Sequence, residues 1–229
     1  MNSAEQQSPD QSAYFGSAAP AEFPSTLKLV LSRVAFPLLS VLSRDQSRRL
    51  HLTPIDDERV LMALRHAEGR VLDVGCGSNT FVKTYGNGVG VDVVSWKGAD
   101  MTIEDAAKLP FEDETFDTVS YLACLNHIPN REESVREAQR VLRPGGLLMV
   151  TMITPRLGSF IHWLRAKNDP DHKERCIDHD NELMGMSPGH VRQIVEAAGF
   201  RDFQRKPFVF RIKAGPIHTG MNNLFLARK

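Results

Sequence analysis

Three carboxylates stand at or near the ends of three successive expected strands of this 229-residue chain, and their spacing points to a ligand held across the end of a sheet. The first lies in Val71-Leu72-Asp73-Val74-Gly75-Cys76-Gly77-Ser78-Asn79, the second ends Val89-Gly90-Val91-Asp92, and the third opens Asp105-Ala106-Ala107. An apolar run that ends in glycines describes a buried parallel strand breaking into a tight turn, where missing side chains let backbone N–H groups reach a nucleotide-type cofactor. Asp73 stands two residues before the first glycine. A dinucleotide has no use for an acid there, whereas a ligand carrying an amino group does. A dinucleotide-dependent oxidoreductase would also want a third glycine where Thr80 stands and an acid about 20 residues further on, and Asp92 comes early for that.

Alternating elements must position these groups. A helix is expected from Thr53-Pro54 to Ala67, with Pro54 in the first turn, Asp56, Asp57 and Glu58 at the positive end of the dipole, and Gly69 as the stop. Strands follow over 70–74, 88–92, 99–104, 116–122 and 147–153, with helices over 80–85 and 131–142. Such alternation predicts an α/β fold with a mainly parallel sheet and helices on both faces. Between Asp92 and Asp105 the chain is too short for an ordinary crossover helix, so that connection reduces to a turn around Val94–Gly98. Ser187 caps a helix over 188–198 that Gly199 ends, and two final strands, near 203–212 and 223–227, pair antiparallel through a tight return.

Composition sets limits on partners. Lys+Arg and Asp+Glu both number 28, so no global field draws the chain toward nucleic acid. Three scattered cysteines, Cys76, Cys124 and Cys176, fit free thiols in a reducing compartment, and the absence of a basic, apolar leader in the opening residues makes the cytoplasm the expected location. Hydrophobic residues at 41% support one catalytic domain over 53–229, preceded by a disordered tail over 1–25 and a helical segment over 26–52. Residues 26–49 carry a net charge of +4, which suits either a lid over the site or an interfacial helix on anionic lipid. Leu27–Leu42 is too short and too interrupted to span a bilayer, which takes about 20 apolar residues.

Four segments in fixed order resemble the class I S-adenosylmethionine-dependent methyltransferases, in particular the small-molecule branch that includes ubiquinone and menaquinone biosynthesis enzymes. They are Val71–Gly77, Gly90-Val91-Asp92, Glu104–Phe111 with Phe116-Asp117, and Arg140-Val141-Leu142-Arg143-Pro144-Gly145-Gly146, and the likeness covers residues 58–228. It implies a Rossmann-like seven-stranded sheet of order 3-2-1-4-5-7-6 with strand 7 antiparallel, and S-adenosyl-L-methionine as cofactor. Carried onto this chain, Asp73 would hold the methionyl ammonium, with Gly75, Cys76 and Gly77 lining the approach. Asp92 and Val93 would meet the ribose, Asp105 and Ala106 the adenine edge, and Leu122 and Ala123 the methionyl side.

An acceptor at oxygen or carbon needs a base, and His127 in Leu125-Asn126-His127-Ile128-Pro129-Asn130 follows the fourth strand, where this sheet type opens its ligand crevice. A hydrogen-bonded structural histidine is the alternative. Asn126 is either a positioning group or a loop-turn residue. The acceptor expected is a small molecule, a lipid-linked compound or a glycan, and nucleic acid is not expected, since Leu125-Asn126-His127-Ile128 lacks the motif of base-flipping amino methyltransferases. Residues 156–187 are expected to form an insertion, a helix followed by a loop, that closes over the sheet edge. Within it His162, Trp163 and Arg165 could face the acceptor, while His172, Cys176 and His179 match no standard zinc spacing, so no metal is expected. A cofactor-binding module without turnover is a further alternative.

Overall fold

The computed structural model describes residues 46, 49, 55–153, 155, 156, 158–160, 183, 185–212 and 215–229. The expected tail at 1–25, nearly all of the 26–52 segment and most of the 156–187 insertion, including His162, Trp163, Arg165, His172, Cys176 and His179, lie outside the described residues.

Helix α1 (Ile55–His66) leads into β1 (Val71–Val74), α2 (Thr80–Tyr85) and β2 (Gly88–Asp92). An edge strand β3 (Met101–Thr102) is followed by β4 (Phe116–Leu122), a 3-10 turn (Leu125–His127), α3 (Arg131–Val141) and β5 (Leu142–Ile153). Helix α4 (Pro188–Ala197) and the hairpin β6 (Arg201–Ile212) and β7 (Gly215–Arg228) complete the order. The seven-stranded sheet runs β3-β2-β1-β4-β5-β7-β6, with β7 antiparallel to both neighbours and the remaining pairs parallel.

Period-2 alternation splits the core between the two faces of this sheet. Leu72 and Val74 of β1, Val119 and Tyr121 of β4, and Leu148, Val150 and Met152 of β5 pack on one face with Val135 and Ala138 of α3 and Ile194 and Val195 of α4. Val71, Leu147 and Met149 pack on the other with Met62 and Ala63 of α1 and Phe81 and Val82 of α2. By the same parity Asp73 and Ser120 face the α1–α2 side, which decides where a polar site can form.

Local chemistry explains the element ends. Ser187 accepts from the His190 N–H at 3.1 Å and Pro188 occupies the first turn of α4. Val93–Gly98 carries no helix, as the short β2–β3 connection requires. Three boundaries differ from expectation. Strand β3 is shorter than the expected 99–104, at Met101–Thr102: just before it the Asp100 carboxylate turns inward to accept from the Gly90 N–H at 2.8 Å, while the Ile103 N–H still reaches the Asp92 carbonyl of β2 at 2.9 Å. Strand β5 begins at Leu142 rather than 147, with Arg143–Gly146 bulging out between the Phe116↔Leu142 and Thr118↔Leu147 pairs. The terminal carbonyl and N–H of Lys229 pin that bulge to Gly145 and Gly146 at 3.2 and 3.0 Å. The terminal hairpin is also longer at both ends than the runs near 203–212 and 223–227 suggested, because Ile212↔Gly215 still pairs beside the return.

Candidate functional site

Asp73, the penultimate residue of β1, lies on the α1–α2 face, which it shares with the apolar Val71 and Phe81. It is 2% exposed, and among the described residues its carboxylate takes one side-chain hydrogen bond, from the Ser120 hydroxyl to Oδ1 at 2.6 Å. Desolvation in this setting pushes the Asp73 carboxyl up to about 7, with the nearby Asp92 charge adding to the rise and the Ser120 hydrogen bond opposing it. The carboxylate borders a cavity of about 330 Å³ whose walls include Arg59 and Val60 of α1, Gly75 and Cys76 of the turn, and Leu122 of β4. A buried acid with one donor, facing a cavity, is a ready partner for an ammonium group.

The glycine turn works differently from the expected cradle of free donors. The N–H groups of Gly75 and Cys76 both donate to the Val91 carbonyl, at 2.9 and 3.0 Å, and that of Gly77 donates to Asp92 Oδ2 at 2.8 Å. These donors therefore tie the turn to β2. What Gly75 contributes is space: at φ +73, a Cβ there would lie 2.6 Å from Cys124 Cβ and 2.7 Å from its sulfur. Gly77, at φ +52, faces open space, so a ligand can approach its backbone.

Asp92 is 8% exposed and accepts from Gly77 on one oxygen and from the Val94 N–H on the other, at 3.0 Å. Each oxygen keeps a second lone pair, the arrangement a pair of hydroxyl donors can use. Beside it Val93 is 55% exposed, an apolar side chain open to a flat partner. Asp105 sits further along, its carboxyl held below the ordinary range by the Ala107 N–H at 2.8 Å and by the Asn130 amide at 3.0 Å. Ala106 is buried, and its N–H donates to none of the described residues.

At the carboxyl end of β4 the backbone is strained where the chain leaves the sheet. Ala123 has φ +61, a left-handed conformation costing an alanine roughly 1–2 kcal/mol, with its N–H donating to the Thr151 carbonyl at 3.2 Å. The 3-10 turn that follows carries a half-buried His127. Asn126 is 5% exposed and its amide donates to the Leu183 carbonyl at 2.9 Å, while the Leu183 N–H returns to the Asn126 carbonyl at 3.0 Å. The amide thus straps the chain near 183 to this turn. Cys76 and Cys124 are raised by burial and by the Asp73 and Asp92 charges, Cys76 to about 12, which makes both poor nucleophiles.

The cavity therefore gathers Asp73, Gly75, Cys76 and Leu122, while Gly77 and Asp92, hydrogen-bonded to each other, and Val93, Asp105, Ala106, Ala123, Asn126 and His127 do not line it. Three contributors escaped the sequence reading. Arg59 brings a cation to the cavity wall from α1. Ser120 supports Asp73. Asp100 accepts from the Asn79 amide and the Gly90 N–H, both at 2.8 Å, locking the turn onto β2. A basic residue on the helix before β1 was the available signal for the first; the other two depend on strand register. Among the described residues no cluster could hold a metal, and no helix is long and apolar enough to cross a membrane.

Residues 72–150 match the family described as "Methyltransferase domain". The chain is 31% identical over 151 residues to an uncharacterized protein of Methanocaldococcus jannaschii, covering 63% of this chain and 70% of that one. It is 28% identical to demethylmenaquinone methyltransferase of Roseiflexus castenholzii, covering 71% and 79%. Likeness to sterol 4-C-methyltransferase strm-1 of Caenorhabditis elegans is 35% over 97 residues, but spans 41% of this chain and only 26% of that protein. Among solved structures, a SAM-dependent methyltransferase of Thermotoga maritima superposes with a TM-score of 0.56 at 18% identity, over 88% of this chain and 97% of that one, a likeness of fold.

Proposed function

Because the chain belongs to the S-adenosylmethionine-dependent methyltransferases, we propose that it methylates oxygen or carbon of a small-molecule, lipid-linked or glycan acceptor, with His127 as base. The cofactor supplies a methyl group already activated on a sulfonium, which leaves the protein to orient the reactants and take up a proton. Asp73 accepts from the ammonium of the methionyl end and Arg59 meets its carboxylate, so the cavity receives a zwitterion with matched charges. Asp92 accepts from the ribose hydroxyls with Val93 beside it. Asp105 and the Ala106 N–H take the adenine edge, and Cys76, Leu122 and Ala123 wall the sulfonium side without presenting a competing nucleophile.

The observation that carries this reading is the buried, singly hydrogen-bonded Asp73 carboxylate on the cavity wall. For the acceptor, support comes from His127 on the turn directly after the strained end of β4, and from relatives whose names specify a demethylmenaquinone and a sterol carbon. Asn126 acts from the same turn as a positioning residue, through the strap to Leu183. A lipid-linked acceptor would also give the +4 segment at 26–49 a use, as a peripheral contact with anionic lipid. Labelled methyl transfer from S-adenosylmethionine to a panel of quinols, sterols and glycans tests the acceptor class. His127→Ala is expected to bind S-adenosylhomocysteine normally and lose turnover on the accepted compound. Normal turnover would remove His127 from the mechanism.

A further inference from the structure

Parallel pairing of β1 with β4 sets Asp73 and Ser120 side by side as Cα partners, and the strand alternation turns both side chains to the α1–α2 face. Ser120 is fully buried. Its hydroxyl lies 2.6 Å from Asp73 Oδ1 and 3.4 Å from the Leu72 carbonyl, so the carboxylate is the better acceptor for its single proton. A carboxyl group rotates almost freely between equivalent orientations unless something pins one oxygen. The Ser120 hydrogen bond does this, and it binds only the charged form strongly.

Resting on the assignment of Asp73 to the cofactor ammonium, we infer that Ser120 is a positioning residue for cofactor capture: its hydroxyl fixes Asp73 Oδ1, with Oδ2 left for the incoming cation. Among the influences named on Asp73, the Ser120 hydrogen bond is the one that favours its charged form. Asp92 at the end of β2 and the thiols of Cys76 and Cys124 all disfavour negative charge there or are themselves disfavoured by it, and Arg59 of α1 is the one cation on the cavity wall among its described lining residues. The carboxyl sits at about 7 with Ser120 in place, so removing the hydroxyl moves its ionisation to higher pH. Capture of an ammonium ligand follows that ionisation.

The test is calorimetry of the full chain with S-adenosylhomocysteine from pH 5.5 to 8.5. Wild-type affinity should climb with pH through about 7 and then level. Ser120→Ala should displace the climb to higher pH and weaken binding at pH 7 by roughly tenfold or more, the loss expected for one hydrogen bond to a charged group. Ser120→Thr retains the hydroxyl and should restore the wild-type profile. Ser120→Cys, nearly isosteric with a weaker donor, should fall between and serves if the alanine variant does not fold. Asp73→Asn should bind weakly at every pH with a flat profile. If Asp73→Asn loses binding but Ser120→Ala and Ser120→Cys keep the wild-type profile, the role of Ser120 is overturned while that of Asp73 stands. If Asp73→Asn binds as wild type does, the ammonium assignment itself falls.

Discussion

Gly90→Ala probes the hidden support of the site. Gly90 lies in the middle of β2, where no unusual φ is involved, so an alanine is opposed only by its neighbours. Its Cβ would lie 2.1 Å from Asn79 Oδ1, 2.5 Å from Cγ and 2.8 Å from Nδ2. Asn79 cannot yield easily: it is fully buried, at φ 59, with its amide nitrogen committed to Asp100 at 2.8 Å. Overpacking a tight interior costs about 1–3 kcal/mol, and displacing Asn79 from the Asp100 carboxylate adds about 1.5–3. A loss of roughly 3–5 kcal/mol corresponds to a Tm lower by about 6–20 °C at this chain length. Scanning calorimetry checks this, together with the rescue Gly90→Ala/Asn79→Gly. A glycine at 79 accepts the left-handed backbone and clears all three overlapping atoms. The double variant should recover most of the stability, a coupling of about 2 kcal/mol or more. A Tm for Gly90→Ala within a degree of wild type, or strictly additive losses in the pair, would refute the packing argument.

Asp73 links stability to pH in the unliganded protein. Its folded-state carboxyl is raised from the ordinary 3.8 to about 7, so its contribution is most favourable below about pH 4 and is lost as pH rises through 7. Asp73→Asn should therefore match or exceed wild-type stability at pH 8 while binding S-adenosylhomocysteine only weakly, and a drop in stability at pH 8 comparable to a core substitution would contradict this. Tyr121 offers a contrast on the opposite face: its buried hydroxyl bonds the Ser134 carbonyl and hydroxyl, both at 2.8 Å. Tyr121→Phe should lower stability by about 1–2 kcal/mol in urea denaturation and leave cofactor affinity unchanged.

Much of the fold was legible because apolar alternation and glycine stops are local signals. Thr80–Tyr85, Gly88–Asp92 and Phe116–Leu122 fall where the pattern placed them, and the reduced β2–β3 connection followed from chain length alone. The glycine turn misled in one respect. Its residue types suggested donors for a ligand, but the Val91 carbonyl and the Asp92 carboxylate, partners 15 or 16 residues away, take those donors. The Ser120–Asp73 bond spans 47 positions and depends on strand register, which no local pattern encodes. Asn126 left two roles open in sequence because its partner near 183 comes from a segment without periodicity.

In the proposed function, Asp73 near the end of β1 and Asp92 at the end of β2 clasp S-adenosylmethionine. Calorimetry with S-adenosylhomocysteine on wild type and Asp92→Ala, both shown folded by circular dichroism, tests it most directly. Wild type should bind, and the variant should bind at least about tenfold more weakly, because two hydroxyl donors lose a charged acceptor. Equal affinities for the two proteins would contradict a clasp through Asp92.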